Sequence, residues 1–175
     1  MNTSENNNSK AGPDQEDMIE LQNLYKLNQF DLLETKARQL LKKYSTNVHL
    51  NNILGIVLAN QWKSIEAIEI FKKIIEIKPN FFLAYNNIGN VLKDLSRISD
   101  AKIYYEKCIK INPNYIYAHI GLGKIYLDLN EIEKSAETFK QALKIDPENA
   151  EVHRYLSQVT KYEKTNLHLK EMEKI

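Results

Sequence analysis

IKINPNYIYAHIGLGK, residues 109–124, decides how the whole chain is read. Its last four residues, Gly121-Leu122-Gly123-Lys124, look like part of a glycine loop that grips phosphate. Two residues of the stretch point elsewhere. Pro113 stands midway in a series with Pro79 and Pro147, each step being 34 residues, and Gly123 closes the series Gly55, Gly89, Gly123 at the same step. The register extends to Leu54/Ile88/Leu122, Leu58/Leu92/Tyr126, Ala67/Ala101/Ser135, Phe71/Tyr105/Phe139, Ile74/Cys108/Ala142 and Ile77/Ile111/Ile145. Gly123 is therefore a repeat position. A phosphate loop needs a preceding strand, four residues between its glycines and Ser or Thr after the lysine, and this stretch has none of them.

Each 34-residue unit reads as two helices. Over about 48–61, 82–94 and 116–129, apolar residues recur at spacings of three and four, the period of a buried helical face. A short polar turn follows, in which Ser96 and Asn130 suit a helix boundary. Second helices are expected over 64–77, 98–111 and 132–145. Proline ends each one, because it lacks an amide hydrogen and clashes with the preceding turn. Glycine at 55, 89 and 123, with Ala67 and Ala101 across the turn, lets paired backbones approach closely, and the rings at 71, 105 and 139 are expected to fill space against the neighbouring unit.

The pattern resembles the tetratricopeptide repeat, whose signature is W-x2-L-G-x2-Y…A-x3-F…P over 34 residues. Here it stands as Asn51-x2-Leu54-Gly55-x2-Leu58…Ala67-x3-Phe71…Pro79, then Tyr85-x2-Ile88-Gly89-x2-Leu92…Ala101-x3-Tyr105…Pro113, then His119-x2-Leu122-Gly123-x2-Tyr126…Ser135-x3-Phe139…Pro147. Ser135 puts a hydroxyl where alanine is usual. The resemblance implies an all-α fold of antiparallel helix pairs coiled into a right-handed superhelix, with the first helices lining a concave groove. Weaker copies flank the three clear ones. Leu33, Ala37, Leu40 and Ser45 occupy second-helix positions one period before Ala67, Phe71, Ile74 and Pro79, and the helix before them, about 14–27, fits with a one-residue shift that places Leu21 and Tyr25 on the core face. Residues 149–163 repeat a first helix, with Ser157 in place of the glycine. The expected organisation is a disordered polar tail over 1–13, a repeat domain over 14–163 (units 14–47, 48–81, 82–115 and 116–149, then a capping helix 149–163) and a helical extension over 164–175. Terminal repeats are atypical because each must be polar on its open side.

Composition narrows the function. Lys and Arg number 24 against 23 Asp and Glu, a net charge of +1, whereas nucleic-acid binders carry a basic excess. No run approaches the ~18–20 apolar residues of a membrane span, and MNTSENNNSKAG lacks the parts of a signal peptide. A cytoplasmic protein without nucleic-acid or membrane partners is expected. The tripeptides at Asn2 and Asn7 match the glycosylation pattern by chance in an Asn- and Ser-rich tail. A single cysteine, Cys108, excludes an internal disulfide and reads as a buried inert thiol. His119 and His153 lie one repeat apart at the signature tryptophan position and read as packing residues; His49 lies at the start of a first helix and His168 near the C-terminus. No His-Glu-x-x-His or Cys-x-x-Cys pair suggests a metal, and no nucleophile motif accompanies a histidine. No enzyme activity, cofactor or metal is expected.

Recognition remains. The resemblance places the partner surface on first-helix side chains opposite the core: His49 and Asn52 with Ile53 and Ile56, then Asn86, Asn87 and Asn90 with Leu83, then Tyr117 and Lys124 with Ile120, then Arg154 and Gln158 with Tyr155. Such asparagines can hydrogen-bond an extended backbone without demanding its sequence, and Asn87 and Asn90 resemble part of the asparagine ladder in the repeats of O-linked N-acetylglucosamine transferase. The alternative for the same face is a solvated helix surface. The dicarboxylate clamp of chaperone-binding relatives is not expected: its lysine positions hold Asn52 and Tyr117, its arginine position holds Gly121, and Asn87 alone matches. Trp62, at a turn where glycine is usual, reads as packing on the adjacent turn, with an exposed anchor for a partner as the other reading. The function expected is a scaffold or adaptor that binds another protein or an extended peptide in the groove. The alternative is the substrate-recruiting arm of a sulfotransferase or glycosyltransferase whose catalytic part is not in this chain, because residues 153–175 resemble the junction in bacterial fusions of these repeats to a sulfotransferase domain. Leu169, Met172 and Ile175 continue an apolar stripe, which makes self-association through 167–175 a further expectation.

Overall fold

The structure, a computed structural model, describes the backbone of residues 12–172 and the side chains of residues 12–161. Its described secondary structure is entirely helical: α1 (Gln15–Lys26), α2 (Phe30–Lys43), α3 (Val48–Asn60), α4 (Ser64–Ile77), α5 (Phe82–Asp94), α6 (Ile98–Ile111), α7 (Ile116–Asp128), α8 (Ile132–Ile145) and α9 (Ala150–Met172). They fall into two compact units, one ending at Pro79 and one beginning at Asn80. In each unit, helices successive in sequence pack together. The tail over 1–11 and the final three residues lie outside the described residues, as do the side chains of His168, Leu169, Met172 and Ile175.

Every second helix of the three clear copies stops the same way. Lys78, Asn112 and Asp146 precede the prolines and leave the helical region, with ψ of 86°, 91° and 93°, as the ring of a following proline requires. The turn between paired helices repeats as well. Asn28, Trp62, Ser96 and Asn130 have φ of 54°, 62°, 58° and 57°, one period apart throughout. At Trp62 the amide donates to Ala59 O and the next amide, of Lys63, donates to Leu58 O at 2.9 Å. This double bond pattern is the Schellman closure, which satisfies the last carbonyls of the first helix. The same pair recurs at Ser96–Arg97 and Asn130–Glu131.

In the first unit, Leu50, Leu54, Val57 and Leu58 of α3 are buried with Ala67, Phe71 and Ile74 of α4. Asn47 caps α3, its Oδ1 accepting from the amides of His49 and Leu50 at 3.1 and 3.0 Å. The one-residue shift expected for α1 is not found. Asn28 closes α1 one full period before Trp62, so the register is unbroken, and Tyr25 is 50% exposed, its ring set edge-on to Phe30 at 6.1 Å. What changes is where the bulk sits. Leu21 occupies the position of Gly55 and Ala37 that of Phe71, and both are buried; the large residue has moved from the second helix to the first.

In the second unit the ring–glycine pairs carry the packing. A methyl group added at Gly89 would meet the Tyr105 ring at 2.9 Å, and one at Gly123 the Phe139 ring at 2.6 Å. Gly121 is equally constrained: its added methyl would meet Tyr105 at 2.5 Å. The ring therefore has glycine on both sides, Gly89 from its own repeat and Gly121 from the next. Phe139 meets a different neighbour in the following helix, stacking on Tyr155 with centroids 5.3 Å apart and planes 7° apart. Tyr155 stands one period after Gly121. Ile120, Ala136, Phe139, Ala142, Val152 and Val159 form a buried cluster at this end of the unit.

Candidate functional site

The residue at the signature tryptophan position tethers the preceding chain. Asn51 Nδ2 donates to Ser45 O at 3.1 Å, and His119 and His153 place Nε2 2.7 and 2.8 Å from the carbonyls of Pro113 and Pro147. A ring nitrogen donates there, so both histidines carry hydrogen on Nε2. His119 is buried, but His153 is exposed, which corrects the expectation that both pack. Cys108 is buried and burial pushes its thiol up to about 12, so it stays protonated. Among the described residues no group of three or more His, Cys, Asp or Glu gathers to hold a metal, and no described helix is long and apolar enough to cross a membrane.

The expected partner-binding residues divide sharply. On α3, His49 is exposed while Asn52, Ile53 and Ile56 are half-buried. On α5, Asn86 is only 4% exposed and cannot face a partner. Its Nδ2 lies 3.4 Å from Asn87 Oδ1, and its own Oδ1 is buried without a hydrogen-bond partner. Asn87 is half-buried and Asn90 exposed, but Asn90 Oδ1 accepts from the buried Tyr105 hydroxyl at 2.7 Å. Burial raises the pKa of that hydroxyl well above the usual tyrosine value. Ile120, placed on the same face by its period, belongs to the core instead; its repeat position coincides with that of Asn86, so one correction accounts for both. Tyr117 is 61% exposed, with its ring 5.5 Å from that of Tyr115.

Around Tyr155 the structure assembles what the sequence left scattered. Lys124 of α7 reaches Glu151 Oε1 at 2.7 Å and lies 4.8 Å above the Tyr155 ring, and the Arg154 guanidinium is 4.3 Å from the same ring. Cation–ring contacts of this kind contribute about 0.5–2 kcal/mol. Burial pulls the Lys124 ammonium down, but Glu151 and Tyr155 outweigh it and hold its pKa above the usual lysine value. Burial pushes the Tyr155 hydroxyl up, yet Arg154 and Lys124 outweigh that and lower its pKa. Beside this group opens a cavity of about 830 Å³, lined by Lys93, Lys124, Leu127, Tyr155, Gln158 and Lys161 among others.

Sequence reasoning reached Lys124, Arg154 and Gln158 but not Lys93 or Lys161. A signal was present. Lys93, Leu127 and Lys161 share one repeat position on α5, α7 and α9, one turn beyond the positions selected by the groove argument. Trp62 is also corrected: it is 83% exposed, so it does not pack on the adjacent turn.

Comparisons with known proteins agree with this geometry. The tetratricopeptide-repeat family model matches residues 92–159. A MamA structure from Desulfovibrio magneticus RS-1, residues 41 to the end, is similar with a TM-score of 0.74 and 21% identity, covering 92% of each chain. A thermophilic TPR protein from Thermus thermophilus gives a TM-score of 0.73 at 20% identity, covering 83% of this chain and 80% of its own. YrrB, described as a TPR protein with an unusual peptide-binding site, gives 0.63 at 17%, covering 82% of this chain and 74% of its own. No curated protein matches the sequence. The family match over residues 92–159, set on an all-helical architecture shared with those structures, gives the chain the fold of the tetratricopeptide-repeat proteins.

Proposed function

We propose that this chain is a non-catalytic interaction module that binds an extended segment of a partner protein across its first helices. The observation that carries the reading is the row of solvent-facing side chains on successive first helices of the second unit: Asn90 on α5, Tyr117 on α7, Arg154 and Gln158 on α9. Exposed aromatic and arginine side chains are the types enriched at binding hot spots. A similar structure, YrrB, is described as having a peptide-binding site, which supports the same use of the fold here.

Asn90 and Lys124 hold bonds within the fold, so replacing them confounds binding with stability. The test uses the exposed set. Random peptides displayed on phage are selected against the full chain, and the enriched peptides are measured by fluorescence anisotropy against wild type and against Tyr117→Ala/Arg154→Ala/Gln158→Ala. Enriched peptides should bind the wild type and lose at least about tenfold in affinity with the triple variant, since hot-spot truncations cost about 2 kcal/mol or more. Failure to enrich any peptide, or equal affinity for the two proteins with unchanged circular dichroism, would sink the reading.

A further inference from the structure

We infer that the aromatic edge at the amino ends of α5 and α7 takes a proline-rich stretch of the bound peptide. The inference rests on the peptide-binding reading above and names the chemistry of its ligand. Three rings meet there. Phe82 and Tyr115 lie edge-on with centroids 4.9 Å apart, and Tyr117 follows 5.5 Å from Tyr115. Phe82 and Tyr115 are half-buried and Tyr117 is 61% exposed, so the three form one aromatic surface that runs out into solvent.

Helix capping shows that these rings displace a stabilising feature. Asp14, Asn47 and Asn149 open the other first helices, α1, α3 and α9, and the side chain of each accepts a first-turn amide, at 2.8, 3.0 and 3.1 Å. Phe81 and Tyr115 hold that place at α5 and α7 and make no such bond. Losing a cap weakens a helix, and a local rule is broken in this way where function asks for it. The edge is also uncharged. The first turns, residues 82–85 and 116–119, hold no Asp, Glu, Lys or Arg, and Glu151, one period after Tyr117, is already paired with Lys124. What the edge does offer is phenol groups. Among the described residues nothing accepts from the Tyr115 or Tyr117 hydroxyl, and burial pushes the pKa of the Tyr115 hydroxyl up, so it remains a donor.

A proline-rich segment matches this chemistry. Its pyrrolidine rings lie against aromatic faces, its carbonyls accept from the phenols, and proline has no amide hydrogen to leave unpaired against the rings. Such segments are preformed in the extended polyproline conformation and dock on aromatic-lined surfaces. An acidic or basic side chain would find no opposite charge on these turns.

The probe is a short fluorescein-labelled peptide of repeated Pro-Pro-Ser, compared with the same peptide bearing alanine in place of every proline. Anisotropy titrations use the full chain and two variants, Tyr117→Ala and Tyr115→Asn, the second restoring the residue that stands at the same position before α3 and α9. Circular dichroism checks that each variant is folded; if Tyr115→Asn is not, Tyr117→Ala decides alone. The wild type should prefer the proline peptide by about tenfold, and each folded variant should lose that preference. Equal binding of the two peptides to the wild type, or a preference that a folded variant retains, overturns the inference. If phage-selected peptides bind while the proline peptide does not, the proline seat fails and the interaction module stands. If neither binds, both fail.

Discussion

Replacing Gly121 by alanine should destabilise the second unit, against the usual sign of that exchange. In a helix interior, alanine is favoured over glycine by about 1 kcal/mol, and Gly121 lies within α7. The new methyl group, however, would stand 2.5 and 2.6 Å from Cε1 and Cζ of Tyr105, where carbon atoms rest about 3.5–4.0 Å apart. The ring must therefore retreat by about 1 Å. It has little room, since Gly89 already sits against it, its hydroxyl is bonded to Asn90 and its side chain is fully buried. Overpacking of this kind costs about 1–3 kcal/mol, leaving a net loss of up to about 2 kcal/mol once the helix preference is subtracted. Urea unfolding followed by circular dichroism measures the change, with Tyr105→Leu as the second arm of a double-mutant cycle. In the leucine background the clash has no ring to meet, so Gly121→Ala should become neutral or favourable. A stabilised Gly121→Ala protein, or an equal cost in both backgrounds, would show that the ring does not dictate this glycine.

Four further expectations concern three other residues. Trp62 is the sole tryptophan, so its emission should match tryptophan in water and be readily quenched by acrylamide; a blue-shifted, protected spectrum would contradict its exposure. Trp62→Asn should raise stability by about 1 kcal/mol in urea unfolding, because asparagine tolerates the left-handed conformation that Trp62 adopts and little packing is lost. Ser135 Oγ donates to Gly123 O at 2.8 Å, so Ser135→Ala should change stability by less than about 0.5 kcal/mol, the lost bond being offset by better helix propensity. In the first unit, hydrogen bonding from Lys63, reinforced by Arg38, holds Glu34 below the usual carboxylate range. A carboxyl with a depressed folded pKa contributes stability that is present above its unfolded value and lost as pH falls through the folded one. Acid titration of unfolding should therefore lose a contribution below about 1 kcal/mol, and Glu34→Gln should abolish it.

The fold was legible because burial repeats. A position that faces the core in one unit faces it in the next, so Pro79, Pro113 and Pro147 and the matched apolar residues disclosed the second helices at the bounds observed, 64–77, 98–111 and 132–145. The site was less legible, for a physical reason. The period of a helix locates a direction around its axis, not the depth of the neighbours on that side. Asn86 and Ile120 point the way the groove argument required, yet both are covered. Lys93, in the last turn of α5, and Lys161, midway along α9, lie one turn beyond the residues that the groove pattern selects, and the open cavity they line is a product of several elements at once.

The departures from the repeat are as informative as the repeat itself, once the partner of each is known. Gly121 breaks no signature, and nothing in its own repeat explains it; the explanation is the Tyr105 ring of the repeat before, within the same compact unit. Tyr155, one period on, faces a phenylalanine and stacks on it instead. Leu21 and Ala37 reverse the bulk of Gly55 and Phe71 within a single helix pair. At Leu21 and Ala37 the bulk has moved from the second helix to the first, whereas Tyr155 sets a ring against Phe139 at the position where Gly121 leaves room for Tyr105. Trp62 has no such match: it is exposed, strained in backbone conformation, and replaced by Asn, Ser and Asn at the equivalent turns. Packing accounts for the other exceptions, and at Trp62 it does not.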